Sequence, residues 1–257
     1  MTFPKYQLAL ITGASSGIGA ELAKQLALKG IPLLLTGRDT HKLEELAATL
    51  SVPAMLLPLD LTQRSDRDKL ISAIRGYVPD LIINNAGFGL YGNALSNSIS
   101  EQLQMITLNI ETLTEISLIS AKALIDRKRK GTIVNISSVA AFIPIPSFAI
   151  YAASKTFVNH FSEAFDLEVA PSGVRVLTMC PGKVDTSFRI RASKGQSKEK
   201  SSAAIPVEKA VKLILSKIQA QKRIAVIHWP NRMRIALRHC APKSWIMWIL
   251  KRKMSRL

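Results

Sequence analysis

Short apolar runs alternate along this chain with longer stretches in which apolar residues recur every three or four positions. The runs cover residues 6–11, 31–36, 54–59, 80–84, 131–137, 174–179 and 223–227. Several are apolar on consecutive positions, as in Leu33-Leu34-Leu35. That is the signature of a strand buried on both faces, typical of a parallel sheet. Helical patterns lie between them: one through Leu22, Leu26 and Lys29, then residues 42–50, 63–76, 100–127, 149–169 and 206–220. Strands and helices alternating at this spacing build βαβ units. The expected fold class is α/β: a doubly wound parallel sheet of about seven strands with helices on both faces. Ligands on such sheets bind beyond the carboxyl ends of the strands, so the residues after each run are where chemistry is expected.

The first run leads into Thr12-Gly13-Ala14-Ser15-Ser16-Gly17-Ile18-Gly19 and then a helix. A glycine-rich turn lets backbone approach a phosphate closely, and the helix start offers unpaired N–H donors. The second run ends at Gly37-Arg38-Asp39, about twenty residues further on, where a dinucleotide-binding unit reads the adenosine ribose. An acid at the strand end favours a free 2′-hydroxyl; Arg38 favours a 2′-phosphate. NADP(H) is therefore preferred, with NAD(H) as the second choice. Asp39 weighs the other way unless it caps the helix that follows. The third run closes with Asp60-Leu61-Thr62, the fourth with Asn84-Asn85-Ala86-Gly87, the sixth with Pro181-Gly182-Lys183-Val184-Asp185-Thr186.

The fifth run ends at Ser137-Ser138, and thirteen residues after Ser138 comes Tyr151-Ala-Ala-Ser-Lys155. Tyr151 and Lys155 are four apart and share one helix face. A free phenol has a pKa near ~10. An ammonium about 4 Å away, at an effective dielectric of about 20, is worth roughly 4 kcal/mol, or about three pKa units. That brings the phenol towards neutrality, where a general acid–base works best. Ser138 can hold a substrate oxygen beside it. Taken alone, a Tyr-x-x-x-Lys pair is common on amphipathic helices; its place at a strand end, among the other motifs, gives it weight.

The charge is uneven. Of 35 Lys and Arg, 13 follow Glu208, the last acid, leaving 22 against all 18 acids in the first 208 residues, a balance of +4. Cys180 and Cys240 make neither a disulfide framework nor a metal site, which suits a reducing compartment. Residues 1–10 lack the pattern of a signal peptide, and no run reaches the ~20 apolar residues of a spanning helix. A cytoplasmic protein is expected.

As a set, Thr12-Gly-x-x-x-Gly-x-Gly19, Asn84-Asn-Ala-Gly87, Asn109, Ser138, Tyr151-x-x-x-Lys155 and Pro181-Gly182 resemble the short-chain dehydrogenase/reductase family of compact, single-domain type. The resemblance runs over residues 5–228 and implies a Rossmann-type fold. It implies that Tyr151 is the acid–base, that Lys155 holds the nicotinamide ribose and lowers the tyrosine pKa, that Ser138 orients the substrate, and that Asn109 supports a water-linked relay. By the same resemblance, the cofactor would meet Gly13, Ser15, Ser16, Gly17, Ile18, Gly19 and Arg38. Asp60 and Leu61 would meet the adenine, Asn85, Ala86 and Gly87 would line the site, and Pro181, Gly182, Val184 and Thr186 would meet the carboxamide. Asn84 is expected to tie strands together and Ser137 to be structural. The implied activity is NADP-dependent interconversion of a carbonyl and a secondary alcohol. Leu90, Tyr91, Phe142, Ile143 and Phe188 suggest an apolar substrate. The rival function is a cofactor-binding module that acts through its tail.

Residues 186–205 have the composition of a mobile segment, which in this family closes over substrate. Arg189, Arg191, Lys194, Lys198 and Lys200 face only Glu199 there, so the segment either favours an anionic substrate or is a solvated loop. The chain divides into residues 1–228 and a basic extension, 229–257, that holds Trp229, Trp245 and Trp248. Met233, Ala236, Leu237 and Cys240 recur at helical spacing. Contact with an anionic membrane surface and packing on protein, including homo-oligomer contacts, are equally weighted readings. Nucleic acid ranks lower, since no recognition motif accompanies the charge.

Overall fold

The computed structural model describes residues 3–195 and 204–239, with further positions at 244, 245, 250 and 252. Among the described residues seven strands form one parallel sheet in the order β3-β2-β1-β4-β5-β6-β7. They are β1 (Ala9–Thr12), β2 (Leu33–Gly37), β3 (Ala54–Pro58), β4 (Leu81–Asn84), β5 (Gly131–Ile136), β6 (Val174–Cys180) and β7 (Ile224–Val226). The helices are α1 (Gly17–Ala27), α2 (Thr40–Ala48), α3 (Arg64–Tyr77), α4 (Ile99–Ile106), α5 (Leu113–Asp126), α6 (Ala149–Val169), α7 (Phe188–Ala192), α8 (Val207–Gln219) and α9 (Trp229–His239). The doubly wound fold is as the pattern predicts.

Alternation along the strands sorts the core into two layers. Ile11, Leu35, Ile83 and Val134 face α1, α2 and α8, packing with Leu22, Leu26, Leu43 and Ile214. Leu10, Leu34, Ile82 and Ile133 face α3, α5 and α6, packing with Leu70, Ile74, Leu124 and Phe165. Each such aliphatic side chain contributes roughly 1.5–3 kcal/mol by leaving water. Both sets are needed, because a parallel sheet must be covered on both sides.

β1, β2, β4 and β7 start one to three residues later than the apolar runs suggest, while β3, β5 and β6 start where the runs do. Residues 6–8 precede β1, because the Gln7 and Leu8 N–H groups donate to the Asp80 carboxylate (2.9 and 3.0 Å) rather than to a neighbouring strand. Asn84 does tie strands together. Its Nδ2 donates to Asn135 Oδ1 (2.8 Å) on β5 and to Ser117 Oγ (3.0 Å) on α5, and Asn135 Nδ2 donates onward to Ser162 Oγ (2.8 Å) on α6. Asp39 caps α2, its Oδ1 accepting from Lys42 N at 3.1 Å.

Two elements differ from expectation. Residues 100–127 are not one α-helix: α4 passes into a π-helical turn, Thr107–Thr112, and then α5. The apolar period alone does not reveal the extra residue that a π turn accommodates. The span expected to be mobile contains α7, and of that span residues 196–203, with Lys198, Glu199 and Lys200, lie outside the described residues. Cys240 and Trp248 also lie outside them.

The β6–β7 edge is fastened by Asp166 of α6, which is wholly buried. It accepts from Arg175 Nε (2.9 Å) and Nη2 (3.0 Å), Val176 N (2.8 Å) and Arg223 Nε (2.9 Å). Burial pushes its pKa up, but these donors, Arg175 foremost, outweigh it and hold the carboxyl below its ordinary value. A depressed carboxylate contributes stability above its unfolded pKa and loses it as pH falls through the folded value. Asp166→Asn should cost about 2 kcal/mol in urea unfolding at neutral pH. The gap to wild type should narrow below about pH 4. A gap that stays constant down to acid pH would show that the charge of Asp166 is not what stabilises this edge.

Candidate active site

The turn after β1 is built by close backbone approach. Thr12 Oγ1 accepts from Asn85 N (3.0 Å) and Ala86 N (2.9 Å), while Asn85 Nδ2 donates to Thr12 O (3.0 Å) and Gly13 O (3.2 Å). The Asn85 amide thus holds the turn. Gly13 has φ +65°, and a Cβ there would stand 2.9 Å from Ala86 Cα; a Cβ on Gly19 would overlap Gly13 O. Side chains at either position would push the turn away from the 85–87 loop. Ser16 is the N-cap of α1, yet its hydroxyl makes no capping bond, and the first turn holds no acid. The N–H groups of that turn are thus left for an anion, so the residues fit the pyrophosphate of a dinucleotide. Gly37 lies against Ser15, whose Oγ would be 3.0 Å from a Cβ on Gly37. Arg38 follows, exposed at the end of β2.

Ser138, Tyr151 and Lys155 come together beyond β5. Ser138 caps a 3₁₀ turn, Val139–Phe142, its Oγ accepting from Ala140 N at 3.1 Å. Ser138 lies close enough to the Tyr151 phenol to act on its pKa. Lys155 Nζ donates to Ile136 O (3.0 Å) and lies 5.8 Å from the Tyr151 ring centroid. The lysine faces the Asn85–Gly87 side of the cleft: a Cβ on Gly87 would meet its Nζ at 3.5 Å. Ser137 points the other way, donating to Lys155 O at 3.1 Å. Asn109, in the π turn and fully buried, accepts from Phe88 N (3.2 Å) and donates to Phe88 O (2.9 Å) and Ser154 Oγ (3.2 Å). Ser154 Oγ in turn donates to Tyr151 O at 2.7 Å. The Asn109 amide is therefore committed to positioning the 87–88 loop against α6.

The electrostatics differ from the expectation of an acidified phenol. Burial pushes the Tyr151 phenol up to about 12, with Ser138 partly opposing it. Burial also pulls the Lys155 ammonium down to about 8. The two groups were expected to stabilise each other's charge, but both are out of water and the desolvation cost dominates. Nearby Cys180 is pushed up to about 12 by burial, so its thiol is inert.

An apolar wall covers the phenol. Phe148 stacks on Tyr151 with centroids 4.3 Å apart and planes at 29°. Phe188 of α7 sits 5.6 Å from Tyr151, and Tyr91 sits 5.9 Å from Phe148. Leu90 and Met105 complete a small cluster with Phe88 and Ile145 around it. Phe148 was not foreseen, although its place one turn before Tyr151 is a usable signal.

The remaining predicted positions ring the cleft. One Asp60 oxygen accepts from Thr62 N (3.0 Å) and Oγ1 (2.8 Å), while Leu61 is buried and its carbonyl accepts from Thr112 Oγ1 at 2.9 Å. Pro181 O accepts from Val139 N at 3.0 Å, joining the β6 end to the Ser138 turn. A Cβ on Gly182 would overlap Asn231 of α9. Val184 bridges to Ile205, and the Thr186 methyl lies over Gly17. α7 is docked, not free: Ala192 O accepts from Tyr91 N at 2.8 Å, and Lys194 Nζ pairs with Glu101 at 2.7 Å. The Lys194 charge is therefore spent on α4 rather than directed at a substrate.

A family model for short chain dehydrogenases matches residues 7–197. An oxidoreductase of Staphylococcus epidermidis is 31% identical over 198 residues, covering 76% of this chain and 85% of that one. A "Dehydrogenase/reductase SDR family protein 7-like" of Anopheles gambiae is 30% identical over 269 residues, covering 98% and 84%. Among solved structures, a short-chain dehydrogenase of Sphingobium yanoikuyae in complex with NADPH superposes with a TM-score of 0.80 at 31% identity, covering 91% of this chain and 93% of that one. A bulky-bulky ketone specific alcohol dehydrogenase of Comamonas testosteroni gives 0.76 at 26% identity, covering 92% and 95%.

The raised phenol makes a direct prediction for the ligand-free protein. In an ultraviolet difference titration against Tyr151→Phe, the wild type should form no Tyr151 phenolate below about pH 10, the value of a free phenol. A phenolate step near neutrality would show that the Lys155 charge outweighs burial.

Proposed function

The chain belongs to the short-chain dehydrogenase/reductase family, and from that premise we propose that it interconverts a carbonyl and a secondary alcohol with NADP(H). The observation that carries this reading is the convergence of Ser138, Tyr151 and Lys155 beside the glycine turn and the Asn85–Gly87 loop. When bound, the nicotinamide gives or takes the hydride. Ser138 orients the substrate oxygen through its hydroxyl. Tyr151, whose phenol is protonated at neutral pH, gives its proton to that oxygen as the carbonyl is reduced. Lys155 keeps a positive charge near the phenolate so formed, and has N–H groups beyond the one on Ile136 O with which to hold a ribose. The aromatic wall excludes water, which strengthens each of these interactions.

The preference for NADP(H) over NAD(H) is part of the proposal. Arg38 stands exposed at the end of β2, and Asp39, which argued for NAD, has its carboxylate engaged in capping α2. The Sphingobium relative holding NADPH supports it. Phe148, Phe188 and Leu90 favour an apolar substrate, and the Comamonas relative specific for bulky ketones supports that class.

A second reading concerns the extension from residue 229, which we take as an appendage to the 1–228 unit. On α9, Trp229, Met233 and Leu237 recur at four-residue intervals and are 66%, 53% and 68% exposed. Arg232 is exposed beside them, and no acid follows Glu208. No helix of the described residues is long and apolar enough to cross a membrane. The stripe fits peripheral contact with an anionic lipid face on the cytoplasmic side; a contact between copies of the chain is the competing use.

Two experiments test these readings. In a panel of bulky aromatic and aliphatic ketones, wild type should consume NADPH, and Tyr151→Phe should lose turnover by at least about 10²-fold, the usual scale of general acid catalysis, while still binding NADPH. Turnover in the variant equal to wild type would remove Tyr151 from the reaction. In flotation with phosphatidylglycerol vesicles, the full chain should rise with the lipid and the variant carrying Trp229→Ser, Met233→Ser and Leu237→Ser should not. Equal flotation would reject α9 as the lipid contact.

A further inference from the structure

We propose that Arg191, delivered by α7, is a second cationic contact for the 2′-phosphate of the cofactor and sets the preference for NADP(H) together with Arg38. The inference rests on the NADP reading above and extends it to a residue 153 positions from Arg38 in the chain.

Both terminal nitrogens of the Arg191 guanidinium, Nη1 and Nη2, lie 3.4 Å from Ser16 Oγ. Ser16 is the α1 N-cap whose hydroxyl makes no capping bond. Its neighbour Ser15 packs against Gly37, and Arg38 comes next. The adenosine ribose is read at the end of β2 in sheets of this kind. The pyrophosphate belongs on the N–H groups of α1 itself, whereas Arg191 contacts a side-chain hydroxyl, Ser16 Oγ. Burial and then the like charge of Arg38 lower the pKa of Arg191, in keeping with the path from Ser16 through Ser15 and Gly37 to Arg38. Among the described residues neither makes an ion pair with a carboxylate, although Lys194, three residues from Arg191, has found Glu101. Two converging unpaired cations repel. A phosphate monoester with nearly two negative charges turns that repulsion into attraction, and a guanidinium presents paired donors that match its oxygens.

The same short helix carries Phe188 against Tyr151. Thr186, just before it, lies over Gly17. A phosphate gripped by Arg191 therefore also holds in place the aromatic cover over the phenol, linking cofactor choice to closure of the substrate side.

Calorimetric binding of two probes, adenosine 2′,5′-bisphosphate and adenosine 5′-monophosphate, separates the ideas. Wild type should bind the bisphosphate more tightly. Arg191→Ala should weaken the bisphosphate by about tenfold, the scale of one charge-assisted contact, with the loss confined to that probe. Arg191→Lys should recover part of the loss, and Arg38→Ala should lose at least as much as Arg191→Ala. If wild type distinguishes the probes but Arg191→Ala distinguishes them equally well, the inference fails while the NADP reading stands. If Arg191→Ala weakens both probes alike, Arg191 serves α7 docking or the pyrophosphate, and the inference also fails. A wild type that does not distinguish the probes overturns the NADP reading and this inference with it.

Discussion

One threonine hydroxyl pins the carboxyl ends of β1 and β4 together, and the geometry of the cleft is measured from that point. Thr12 Oγ1 takes the N–H groups of Asn85 and Ala86, and the Asn85 amide returns to the carbonyls of Thr12 and Gly13. This is where strand order reverses and the crossovers leave in opposite directions, opening the crevice that such sheets use for ligands. With the two strand ends held this close, backbone must pass backbone without a Cβ between. That constraint explains Gly13 against Ala86 and Gly19 under Gly13, while Gly87 leaves room for the Asn109 and Lys155 side chains. The glycine turn and the helix that carries Tyr151 and Lys155 thereby face the same Asn85–Gly87 loop.

Burial dictates the electrostatics of the cleft. Lys155 has one acceptor, Ile136 O, and is otherwise surrounded by protein, so its ammonium is poorly satisfied and its pKa falls. Tyr151 is stacked under Phe148 and its pKa rises. The phenol is thus protonated at neutral pH, the form that the proposed acid role requires. The same low-dielectric setting amplifies the effect of any charge or hydrogen bond that arrives with a ligand. Desolvation and charge pairing act on the same two side chains with opposite signs, and which dominates depends on what fills the cleft.

α7 joins two halves of the site that are distant in sequence. Phe188 meets the phenol, Arg191 meets the glycine turn, Ala192 accepts from the loop after β4, and Lys194 reaches α4. A five-residue helix cannot be stable on its own account. It exists because these contacts hold it at both ends, and it ties the glycine turn to the Tyr151 side of the molecule.

The layered parallel sheet was legible in the order of residues, because consecutive apolar residues at strand length have no other economical burial, and four-residue spacing put Tyr151 and Lys155 on one face. The same reading located Ser138, the glycine turn and the Asn84-Asn85-Ala86-Gly87 loop at strand ends, since order along the chain fixes which end of a parallel strand each follows. Asn84 as a strand tie and Asp39 as a cap were legible for the same local reasons. The sign of the tyrosine shift came from packing, because desolvation depends on what covers a group, and Phe148 and Phe188 do the covering. Packing also decided the π turn that seats Asn109, the spending of Lys194 on Glu101, and the arrival of Arg191 at Ser16. Those are meetings between segments far apart in the chain, set by how the layers pack, and no local period encodes them.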